Sequence, residues 1–156
     1  MTDTITIDPA FVEHLQNAWI VEKKLTELLP TLVEKATHLG LKKNLALHLA
    51  ETRQHQVAIE AVSKQIGLEL EDKEYPDFDK ILEQGQQSIN NAQGDDVNVA
   101  IIDACISVEQ FEMELYHNLG TVADHTLFDG AAKRLWLTFE EERQAHTKLN
   151  FLRKSA

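Results

Sequence analysis

The chain has 156 residues, 43% of them hydrophobic and 26% charged, the profile of a globular protein long enough to bury a substantial core. Its 15 basic and 26 acidic residues leave a net charge of −11, which argues against a surface built to neutralise nucleic-acid phosphates or to lie on an anionic membrane. The one cysteine, Cys105, permits no internal disulfide, MTDTITIDPAF lacks a basic-then-apolar signal, and no apolar run approaches about 18 residues, so a cytoplasmic protein is expected.

A first helix is predicted over about 9–38, opened by Asp8 as N-cap and Pro9 at the first helical position. Phe11, Leu15, Ala18, Glu22, Leu25, Leu29, Leu32 and Ala36 recur in steps of 4 and 3, the seam of a packed amphipathic helix. Pro30 predicts a kink and Gly40 a stop. A second helix is expected over about 41–66, ended by Gly67. The acidic LELEDKEYPDFDK opens a crossover over about 67–94, which holds a weaker helical stretch from Phe78 to about Asn91.

A third helix over about 95–123 has the seam Ile101, Cys105, Val108, Glu112, Leu115, Leu119 and Val122. DHTLFDG turns the chain into a fourth, over about 130–153, with the seam Leu135, Phe139, Glu142, His146 and Leu149. Period-two alternation of β-branched residues is absent, so no strands are predicted. The plan is one all-α domain over 1–156: two helix hairpins joined by a long crossover, a four-helix bundle.

LAETRQH at 49–55 and FEEERQAH at 139–146 write the same polar phrase twice, Glu51 with His55 and Glu142 with His146. Glu22 and Glu112 each interrupt an otherwise apolar seam. His48, Glu51, His55, Ala58 and Val62 are read as one face of the second helix. Helix rise places Glu22 at roughly 24 Å from the first hairpin and Glu51 and His55 at roughly 15–21 Å; Glu112, Glu142 and His146 fall at about 20–26 Å from the second. Four carboxylates and two imidazoles in one mid-bundle band predict a dinuclear centre for divalent iron or manganese, with zinc also compatible. Glu109 and Tyr116, one turn either side of Glu112, and His48 are candidate extra ligands or supporting groups. The open alternative is a carboxylate–imidazole network without metal. A Gly-rich phosphate loop, a Gly-x-Ser-x-Gly turn and a Cys-x-x-Cys pair are all absent, which sets aside the enzyme classes built on them.

AWIVEKKLTELLPTLVEKAT followed by LALHLAETRQH, and VEQFEMELYHNLGTVA followed by AAKRLWLTFEEERQAHTKL, resemble the two halves of the YciE/YciF-type ferritin-like domains. The resemblance spans Phe11 to Leu152. It implies a ferritin-like fold, helix-bundle homodimers and a stress-related role, and aligns VEKKL with FEMEL, setting Glu22 opposite Glu112. By analogy with related bundles it makes Glu51 and Glu142 bridging ligands and Glu22 and Glu112 terminal ones. Oxygen or peroxide would then be the partner of an oxidoreductase or metal-handling protein. The wider ferritin-like pattern is Glu-x-x-His, whereas both phrases here step by four, with Gln54 and Ala145 at the usual His positions. The competing reading is a non-enzymatic helical dimer or protein-interaction module with a vestigial or absent metal site.

Overall fold

A computed structural model describes residues 7–126 and 129–155, and five helices account for most of them. Helix α1 (Pro9–Lys35) starts where Asp8 accepts a hydrogen bond from Ala10 N at 2.9 Å. It buries every member of its seam from Phe11 to Leu32 and runs on through Pro30, which lies on the exposed side. The stop expected at Gly40 is not used. Helix α1 ends at Lys35, and Gly40 sits in the first turn of α2 (Leu39–Gln65).

Side chains make that tight corner. Asn98, buried at the start of the fourth helix, accepts from Thr37 N at 2.9 Å and His38 N at 3.2 Å and donates to Thr37 Oγ1 at 2.7 Å. His38 then caps α2, its Nδ1 accepting from Leu41 N at 3.1 Å. A polar cap therefore replaces the left-handed glycine that the sequence suggested. At the far end of α2 the glycine signal does hold: Gly67 has φ +70°, and Leu68 N closes back on Ser63 O at 2.9 Å.

The helical stretch expected in the crossover is a 16-residue helix, α3 (Pro76–Asn91), which begins two residues before Phe78 because Pro76 supplies a pre-set first turn. Phe78 and Ile89 are its buried anchors, and the rings of Phe78 and Tyr75 pack on Phe111 at 5.3 and 5.6 Å. Helix α1 ties the strap down: Gln16 pairs with both backbone groups of Glu71, Lys23 with Asp72, and Lys24 with Asp79. The strap returns the chain to α4 (Asp96–Thr126), which packs against α1, α3 and α5 (Asp129–Ser155). The turn expected over 124–130 falls partly outside the described residues. Trp136 closes that hairpin by lying over Gly120, where an added Cβ would come within 2.6 Å of the indole. Among the described residues there is no strand, and no helix is long and apolar enough to cross a membrane.

Asn98 gives the fold a direct test. Asn98→Ala orphans two backbone N–H groups at a part-buried corner and is expected to destabilise the protein by about 1–3 kcal/mol in urea unfolding; an unchanged midpoint would show that water satisfies the corner.

Candidate metal centre

The bundle's middle is set by which side chains each seam buries. On α2 the buried positions are Leu41, Leu45, His48, Thr52, His55, Ile59 and Val62, in unbroken steps of 4 and 3. This register differs by one residue from the face read through Glu51. His48, Thr52 and His55 therefore point inward, while Glu51 is only half-buried at the seam's edge. On α5 Leu135, Thr138, Glu142 and Leu149 are buried, and His146 stays half-buried, accepting from Asn150. On α4, which packs on three helices, two neighbouring rows are buried, so that Glu109 joins Glu112 inside.

Glu22, His48, His55, Glu109, Glu112 and Glu142 converge there, none more than 4% exposed. They form two groups sharing one member. His48, Glu109, Glu112 and Glu142 make the first; Glu22, His55 and Glu142 make the second. Within each group one ligand atom per residue lies within 4.8 Å of all the others. His48 Nε2 is 2.6 Å from Glu109 Oε1, and His55 Nδ1 is 2.9 Å from Glu142 Oε1 and 3.8 Å from Glu22 Oε2. None of these contacts has hydrogen-bond alignment. Among the described residues, every buried side-chain nitrogen or oxygen without a hydrogen-bond partner belongs to these six side chains.

Supporting contacts orient two of the six. Tyr116, fully buried, donates its hydroxyl to Glu22 Oε1 at 2.9 Å. His55 Nε2 lies 3.1 Å from Glu141 Oε2, a side chain 31% exposed, which leaves Nδ1 facing the cluster. Thr52 turns away, donating to His48 O at 2.8 Å. Of the sequence-predicted residues the structure thus brings together Glu22, His55, Glu112 and Glu142, adds Glu109 and His48 from the secondary candidates, and places Tyr116 against Glu22. Glu51 and His146 lie outside both groups.

Without a cation the cluster must hold protons. Burial, followed by the charge of Glu142, pushes Glu22 up to about 8 and Glu109 and Glu112 well above the carboxylate range. Burial opposes ionisation of Glu142 too, but its contacts with Glu109, His55 and Glu112 hold it below the usual range. Its contacts with Glu109 and Glu112 are carboxylate to carboxylate, so they become hydrogen bonds only when a partner is protonated. Burial lowers His48, whereas at His55 the pull of Glu142 and Glu22 outweighs burial and lifts it to about 9. At neutral pH the metal-free centre is therefore one carboxylate and one imidazolium among neutral acids and a neutral imidazole.

Comparison with known proteins agrees with this architecture. The family described as Domain of unknown function (DUF892) matches residues 6–156. Protein YciF of Escherichia coli (strain K12) is 28% identical over 149 residues, covering 94% of this chain and 90% of the relative. The crystal structure of the same E. coli stress protein superposes with a TM-score of 0.88 over 96% of each chain. YcfI of Rhodopseudomonas palustris, 25% identical, gives 0.87 over 96% of this chain and 97% of that one. A DUF305 fragment from Deinococcus radiodurans, at 10% identity and 0.80, shares the fold.

The proton inventory fixes a pH dependence. Glu22, Glu109, Glu112 and His55 bind protons more tightly in the fold than in the unfolded chain, so their contribution is complete at low pH and lost as pH rises through the raised values. His48 and Glu142 act in the opposite sense, but His48 has finished once pH exceeds its ordinary 6.5 and Glu142 above 4.5. From pH 6.5 to 8 the chelator-treated protein is expected to lose about 1.4 kcal/mol per pH unit for each extra proton the fold holds. Thermal unfolding across that range checks it; a flat or rising Tm would mean that these carboxylates are ionised in the fold.

Proposed function

The chain belongs to the ferritin-like DUF892 family, and on that premise we propose that its six buried side chains hold two divalent metal ions, iron or manganese. The observation that carries this reading is that, among the described residues, the unpartnered buried side-chain nitrogens and oxygens are confined to that one cluster. Four ionised carboxylates there would each lose several kcal/mol of hydration. Two dications bring four positive charges against them, and two imidazoles complete the donor set.

The residues divide the work. Glu142, the member common to both groups, would serve both ions; His48, Glu109 and Glu112 would help hold one, and Glu22 and His55 the other. Glu141 fixes the tautomer of His55 by accepting from Nε2, so that the Nδ1 lone pair faces inward. Tyr116 fixes one oxygen of Glu22 and leaves Oε2 as the free donor. The apolar seams above and below exclude water. Bound metal would supply the electron transfer to oxygen or peroxide that these side chains cannot perform. A stress-related role is supported by a relative described as a stress protein, while the oxidoreductase or metal-handling part of the reading rests on the donor set of the buried cluster. A metal-free structural core, with Glu22, Glu109 and Glu112 neutral, is the competing reading that the proton inventory describes.

Equilibrium dialysis against manganese(II), followed by elemental analysis, separates the two. Wild type is expected to retain two ions per chain, His48→Ala and His55→Ala one each, and Glu142→Gln neither. A wild type that retains no ion and gains no thermal stability would leave the metal-free core as the answer. Anaerobic loading with iron(II) and admission of air is expected to give a new near-ultraviolet absorption if the centre is oxidised.

A further inference from the structure

Glu51 misses the cluster yet lies beside it, on the wall of an opening that leads inward. Helices α2 and α5 form the most lightly packed of the substantial helix contacts, and a narrow cleft opens between them. Its walls carry Asn44, Glu51, Glu141, Gln144 and Lys148, with Leu47 and Ala145 as the apolar members, and His48 also lines it. His48 is 4% exposed and its Nε2 has no hydrogen-bond partner. Glu141 reaches the other imidazole, His55 Nε2, at 3.1 Å while remaining 31% exposed. The cleft thus touches the histidine of one group directly and that of the other through Glu141.

A second cavity also reaches His48, from beneath α3, but Leu25, Leu29, Leu32 and Val108 wall it. A dication shedding water there would meet the amide of Gln86 and no carboxylate, among otherwise largely apolar walls, so most of its lost hydration would go unreplaced. Between α2 and α5 it would exchange water for carboxylate and amide oxygens at successive positions. Acidic walls also raise the local concentration of cations. Lys148 works against this from inside the same cleft, where its charge offsets part of that of Glu51.

We infer that the α2–α5 cleft is the path by which divalent cations reach the centre, with Glu51 and Glu141 as transient oxygen ligands and Lys148 as the charge that restrains passage. This rests on the dinuclear reading and assigns Glu51 a role in loading in place of a role as ligand. The test is stopped-flow mixing of the chelator-treated full chain with cobalt(II), read by its visible ligand-field absorption. Glu51→Gln is expected to slow loading about five- to tenfold and Lys148→Gln to speed it several-fold, with weaker salt dependence for Glu51→Gln. Both variants should reach the wild-type stoichiometry and final spectrum. A Glu51→Gln protein that loads at the wild-type rate would place the path elsewhere. One that binds fewer ions, or ends with a different spectrum, would make Glu51 a ligand and overturn the inference while leaving a metal centre intact. A wild type that binds no cobalt would remove the dinuclear reading itself.

Discussion

Four carboxylic acids stand in the centre of this bundle with essentially no contact with water, and the rest of the structure is arranged around that constraint. Ionised and unpaired, each would be disfavoured by several kcal/mol, against a total stability of about 5–15 kcal/mol for a typical domain. The chain therefore cannot leave all four charged. It must hold protons or cations, and the geometry permits both. Long apolar seams either side of the band provide the burial energy that makes such a centre tolerable. The strap of α3, tied to α1 through Gln16, Lys23 and Lys24, roofs the bundle over α4 beside the two carboxylates that α4 contributes.

Much of this was legible in the sequence where polarity interrupts a clean pattern. The seam of α1 is apolar at every step but one, so Glu22 declared itself, and Glu112 did the same on α4. Helices α2 and α5 were harder because each carries polar residues at several adjacent positions. Choosing between Glu51 and Thr52 is then a choice between rotations of about 100°, which only tertiary packing settles. The repeated Glu-x-x-x-His phrase was half informative: one copy contributed its histidine and the other its glutamate. Flanking apolar residues held the missing signal, since Leu41, Leu45, Ile59 and Val62 extrapolate through His48, Thr52 and His55. Glu109 stayed a secondary candidate because one seam describes a helix with one neighbour, and α4 has three. The corner at Asn98 was invisible for a different reason, because its capping partner lies about sixty residues away in the chain.

Register also recasts the departure from the ferritin-like Glu-x-x-His pattern. His55 keeps the histidine position of α2, and Thr52, three residues before it, stands where the glutamate would be. Glu142 keeps the glutamate position of α5, and Ala145 stands where the histidine would be. His48, one helical turn before Thr52 on α2, and Glu109, one turn before Glu112 on α4, bring the count back to two imidazoles and four carboxylates. Donor inventory is thus kept while its distribution over the helices changes, and the small side chain of Ala145 leaves the α2–α5 seam open at the same level.

Common membership of Glu142 in both groups ties the halves of the centre into a single equilibrium. An ion bound in one half would alter the charge and orientation that this carboxylate offers the other, so the affinity of each half would depend on what the other holds. By thermodynamic reciprocity, any preference that the first occupant creates for the second is returned in equal measure. The halves are also unequal, three carboxylates with one imidazole against two with one. On the dinuclear reading, filling would then be coupled across Glu142, with protons held on whichever side of it a cation had not yet reached.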